Sequence, residues 1–134
     1  AAIKLAIEEQ EPEAIRLKSL RDHMELALST QLVGVRINGG KWARAPHILS
    51  VGVHGIEDGN ELLMALDLEG VAVSSGSACS SGGRKASHVM AALYGPDDPH
   101  ATVRFSFGRR TTSQDLDRAI AATIAVVERL RRAT

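Results

Sequence analysis

Apolar residues recur along this chain with two different periods. Leu17, Leu20, Met24 and Leu28 are spaced by threes and fours, which puts them on one face of a helix. Pro12 lacks the amide proton an interior helical position needs, so the spacing predicts a short helix to about residue 10, a break, and a second helix. Val33–Ile37 reads as a short strand closed by the turn signal Asn38-Gly39-Gly40. His47–His54 carries Ile48, Leu49, Val51 and Val53 and predicts a strand buried on at least one face. Glu57 and Asp58 then open a helix with Leu62, Leu63, Ala65 and Leu66 as its apolar side and Gly70 as its stop.

The second half repeats the alternation. Val71-Ala72-Val73 is a short apolar strand, followed by a serine/glycine-rich run to Gly83 that neither helix nor packed strand accommodates. That loop, from about Ser75 to Lys85, is expected to be mobile, since ordering it gains little apolar burial. Ser87 is placed to cap a helix through Leu93, ended by Gly95-Pro96. Thr102–Phe107 alternates, with Val103, Phe105 and Phe107 on one side and Arg104 and Ser106 on the other. Thr112 and Asp115 have capping-box spacing. Leu116, Ile120, Ile124, Val127 and Leu130 form the buried stripe of a closing helix. The expected fold is α/β (α+β): a two-layer sandwich, with a mostly antiparallel or mixed sheet of about four strands under four or five helices. Residues 1–134 read as a single domain.

Composition narrows the function. Sixteen Lys+Arg balance sixteen Asp+Glu, which argues against nucleic-acid or membrane binding by bulk charge. No apolar run approaches the roughly 20 residues that cross a bilayer, and the expected setting is cytoplasmic. The start AAIKLAIEEQ is already helical and uncapped, so the sequence is expected to begin inside a larger protein. One cysteine rules out a disulfide framework and any multi-cysteine metal site. The charge is also locally ordered. Residues 57–69 hold five acids and no base, whereas 71–90 hold Arg84 and Lys85 and no acid.

That basic stretch contains Cys79. A lone cysteine is commonly a small buried hydrophobe. Here serine and glycine flank it on both sides, and the nearest charges are positive, which favours the reactive thiolate. Arg104 is open to two readings. It is either a solvent-facing arginine on an edge strand, or a guanidinium held on a rigid element where it can grip a carboxylate with both arms. His23, His47, His54, His88 and His100 share no ligand spacing with one another or with Cys79, and no metal site is expected; each reads as a surface or cap residue.

The run LDLEGVAVSSGSACSSGG, then SHVMAAL, then VRFSFGRRTTSQDLD and a closing amphipathic helix, resembles the C-terminal part of the NifS/IscS-like cysteine desulfurases. These are pyridoxal-phosphate enzymes of the class V aminotransferase fold, itself a fold-type I transferase architecture. The resemblance is continuous from about Pro46 to Leu130. It implies that Cys79 is the catalytic cysteine, which takes sulfur from L-cysteine as a persulfide and leaves alanine. It implies that Arg104 grips the substrate carboxylate. It further implies a sulfur-acceptor or scaffold partner, as in iron–sulfur cluster assembly or thiolation, and a homodimer at full length. The family's cofactor lysine belongs to a large domain preceding this region, so no pyridoxal phosphate is expected on this chain and the fragment alone is expected to be inactive. Two alternatives stay open: a self-standing persulfide carrier, and a selenocysteine lyase domain.

Overall fold

The computed structural model describes residues 2–75 and 87–133. Cys79, Arg84 and Lys85, and with them the expectation of a mobile loop, lie outside the described residues.

Seven elements follow in the order α1 (Ala2–Gln31), β1 (Val35–Ile37), β2 (Ile48–His54), α2 (Gly59–Leu68), α3 (His88–Tyr94), β3 (His100–Ser106) and α4 (Ser113–Ala133). The three strands form one antiparallel sheet in the order β1-β2-β3. Helix α1 lies against β1 and β2, α2 against β3, and α4 packs on both α1 and α2. Leu49, Val51 and Val53 of β2 and Val103 and Phe105 of β3 meet Met24, Leu28, Leu62, Leu66, Val126 and Val127 in one buried core. Each such side chain contributes roughly 1.5–3 kcal/mol by leaving water.

The helix ends follow their local chemistry. The Asp58 side chain accepts from the amide of Asn60 at 2.9 Å to cap α2. At α4 the capping box closes in both directions: the Thr112 amide donates to Asp115 at 3.0 Å, and the Asp115 amide to the Thr112 hydroxyl at 3.1 Å. The Ser87 hydroxyl makes no capping bond to α3, contrary to expectation; it is buried without a partner among the described residues.

Two other expectations are corrected. Helix α1 is continuous through Pro12. The Glu8 carbonyl, deprived of its intrahelical donor by the proline, lies on an exposed stretch where water can replace it. The helix is also pinned on both sides of the proline. Glu9 pairs with Arg109 at 2.7 Å, and Glu13 pairs with Arg16 at 2.7 Å. Arg16 in turn donates to the carbonyls of Gly108, Arg109 and Thr111 in the turn after β3. Among the described residues the sheet has three strands rather than about four, because Val71–Val73 does not pair along its length and the isolated bridge is that of Ser74 to Arg104. The Val71 amide is drawn instead to the Leu66 carbonyl at 2.9 Å, as part of the turn leaving α2.

Candidate functional site

Strand alternation gives the sheet a second, polar face. Since Leu49, Val51 and Val53 point into the core, Ser50, Gly52 and His54 face the other way, opposite Arg104, Thr102 and His100 of β3. On β1, Arg36 stands opposite Gly52. The helices described above cover the apolar face and leave this one for polar side chains.

Arg104 lies in the middle of β3 on the polar face, half-buried, beside Ser50. Its Nε is buried and has no hydrogen-bond partner among the described residues. Its backbone is tied twice to Ser74: the Arg104 amide donates to the Ser74 carbonyl at 2.7 Å, and the Ser74 amide donates to the Arg104 carbonyl at 3.2 Å. Ser74 precedes Cys79 by five residues. The fold therefore brings the chain leading into the cysteine alongside the arginine, although 30 residues separate Ser74 from Arg104.

The densest polar cluster was not anticipated from the sequence. The Arg36 guanidinium forks onto Asp98, with Nη1 donating to Oδ1 at 3.0 Å and Nη2 to Oδ2 at 2.6 Å. Its Nε donates to Asn38 Oδ1 at 3.1 Å, and Asn38 Nδ2 donates to the Ser50 hydroxyl at 3.1 Å. The same guanidinium lies 3.5 Å from the centroid of the Tyr94 ring, whose hydroxyl accepts from the Gly39 amide at 3.2 Å. His100 Nδ1 is 2.7 Å from Asp98 Oδ1, and its ring meets that of His54 edge-on at 5.5 Å. The Asp98 carboxylate is only 8% exposed, and the Arg36 hydrogen bonds, joined by that of His100, hold its pKa down to about 2. Gly52 makes room for the arginine: a Cβ there would stand 3.2 Å from Arg36 Nη2 and 3.2 Å from His100 Cβ. The alternation Val35-Arg36-Ile37 carried the direction of Arg36; nothing local pointed to Asp98, 62 residues away.

A cleft of about 460 Å³ opens on the opposite side of β3, between Val71, Phe105, Phe107 and Leu116. It lies on the core face, away from the polar row of Arg104. Among the described residues no group of His, Cys, Asp or Glu is arranged to hold a metal ion, and no helix is long and apolar enough to cross a membrane. The described lysines do not fit a pyridoxal-phosphate aldimine site, which needs a desolvated amine beside a phosphate cradle. Lys4 extends into solvent near Glu8, Lys18 pairs with Asp22 on the surface, and Lys41 is exposed. No step through that cofactor is derived from them.

Comparison with known proteins bears on the family and the fold. Residues 1–119 match the family described as aminotransferase class-V. The chain is 38% identical over 131 residues to the cysteine desulfurase IscS of Dictyoglomus turgidum, covering 97% of this chain and 33% of that protein. It is 39% identical to the IscS of Pseudomonas entomophila, over 97% of this chain and 31% of the relative. The chain thus spans about a third of the length of these curated relatives. The X-ray structure of a NifS-like protein from Rickettsia africae superposes with a TM-score of 0.78 at 22% identity, over 92% of this chain and 31% of the other. That likeness establishes the fold.

Proposed function

Given that the chain belongs to the aminotransferase class-V family, we propose that it is the C-terminal small domain of a pyridoxal-phosphate-dependent cysteine desulfurase in which Cys79 carries the sulfur. The net step is L-cysteine plus the Cys79 thiol giving L-alanine plus the Cys79 persulfide, so one sulfur changes owner and no external oxidant is consumed. The cofactor and its lysine belong to the rest of the full-length protein. Cys79 contributes a thiolate favoured by its basic neighbours. Arg104 contributes a planar fork for the substrate carboxylate.

One observation carries this reading: the paired backbone of Ser74 and Arg104. That pairing sets the described chain that leads toward Cys79 in sequence beside Arg104. The Nε of Arg104, buried and without a hydrogen-bond partner among the described residues, supports a ligand-gripping role, since such a group is costly unless something completes its bonding. The remaining terms rest on the resemblance to the cysteine desulfurase family. They are a sulfur-acceptor or scaffold partner, a role in iron–sulfur cluster assembly or thiolation, a homodimeric full-length enzyme, and a cytoplasmic setting.

The test is a single turnover of the full-length protein with L-cysteine. Mass spectrometry is expected to find Cys79 heavier by one sulfur, with one alanine released per site. Alanine without sulfur on Cys79 would remove the cysteine from the reading. Sulfur acquired only from another protein's persulfide would make the chain a carrier instead.

A further inference from the structure

Helix α3 is too short to stand alone. It has seven residues, buries none of them, and carries no side-chain cap. Isolated helices below roughly 12–15 residues are marginal in water, so α3 needs a tertiary anchor. The side chain of Tyr94, at the end of α3, reaches β1 and the turn after it. Its ring lies against Arg36 and its hydroxyl takes the Gly39 amide. Arg36 also forks onto Asp98, four residues further along. One guanidinium therefore grips the chain on both sides of Gly95-Pro96, and Gly52 leaves the floor of the sheet clear beneath it.

We propose that Arg36 is a positioning residue for the sulfur-carrying cysteine: by stapling Tyr94 and Asp98 to β1, it fixes the helix that follows the Cys79 segment. This rests on the desulfurase reading above and adds a residue to it. Ser74, bridged to Arg104 of β3, precedes residues 76–86 in sequence, and α3, held by Arg36 of β1 through Tyr94, follows them. The Arg36 guanidinium is committed to Asp98, Asn38 and Tyr94, so its effect falls on delivery of the thiol and leaves substrate capture to Arg104.

The experiment compares Arg36→Met, Tyr94→Ala and the double variant with the parent full-length enzyme. Amide hydrogen exchange over residues 88–94 is expected to quicken about tenfold or more in each single variant, with residues 49–53 of β2 unchanged. Persulfide formation on Cys79 is expected to slow about fivefold or more, while KM for L-cysteine stays within about twofold. Because both changes break one staple, the double variant is expected to be no slower than the slower single variant. Unchanged exchange in α3 would overturn the staple. A loosened α3 with undiminished kcat, or a loss confined to KM, would overturn the positioning role. A parent enzyme that forms no Cys79 persulfide would defeat the desulfurase reading itself, and the exchange measurement would still judge the staple separately.

Discussion

Ser74 and Arg104 exchange two backbone hydrogen bonds, one through each amide, at 3.2 and 2.7 Å. The pairing makes the entry to the cysteine segment an extra edge of the sheet for one residue only. It also ties the strand that carries the Arg104 guanidinium to the chain that precedes Cys79 in sequence.

Replacing Arg104 by alanine in the full-length enzyme is expected to lower kcat/KM for L-cysteine by about 100-fold or more, on the scale of a lost charge-assisted, two-armed contact. Arg104→Lys should recover little of this, because an ammonium does not reproduce the fork. Steady-state kinetics check it. Wild-type efficiency in both variants would return Arg104 to a structural role.

Cys79→Ser should abolish persulfide formation and sulfide release while leaving the full-length protein's cofactor spectrum intact. A hydroxyl ionises too weakly and accepts sulfur too poorly to replace the thiolate. Turnover near the parent rate would exclude Cys79 from the chemistry.

Asp98 should make the polar face acid-sensitive. Its folded pKa of about 2 lies below the ordinary value of 3.8. The stability it supplies is therefore complete above about pH 4 and is lost as pH falls toward 2. The scale is on the order of 2 kcal/mol. Asp98→Asn should be less stable at neutral pH and should lose this part of the acid dependence. Denaturation measured across that pH window reads both, and an unchanged acid slope would separate Asp98 from it.

Gly52 should tolerate a side chain poorly. The added methyl of Gly52→Ala meets Arg36 Nη2 and His100 Cβ at 3.2 Å, and the arginine is held by its fork and cannot easily yield. A loss of about 1 kcal/mol is expected, and more for Gly52→Val. Full stability in the valine variant would show that Arg36 can shift freely.

What the sequence showed and what it hid divide along physical lines. The stripes Leu17–Leu28 and Leu116–Leu130 and the alternation of Val103, Phe105 and Phe107 were legible because burial imposes a period. Pro12 misled because its propensity penalty is set against contacts that exist only in the fold, from Glu9 to Arg109 and from Arg16 to the carbonyls of Gly108, Arg109 and Thr111. Val71–Val73 misled because apolar content marks a strand without saying whether a partner strand lies beside it. Arg104 could be placed on a face, but its pairing with Ser74 could not be foreseen. His100 was read as a surface residue, whereas the fold half-buries it against Asp98. The Cys79 assignment came from its flanking residues and the family resemblance.

The β2–β3 register joins residues about fifty positions apart, Ile48 with Ser106 and His54 with His100 at its two ends. The chain must close that long loop before Leu49 and Val51 meet Phe105 and Val103, so an entropic cost precedes the reward of burial. Folding of this region therefore includes a search over distance, which slows it relative to a bundle of helices with local contacts. During synthesis, β1 and β2 emerge after α1, which covers their apolar faces only in part, and wait for β3 and α4. Over that interval Leu49, Val51 and Val53 form a surface that other chains can reach.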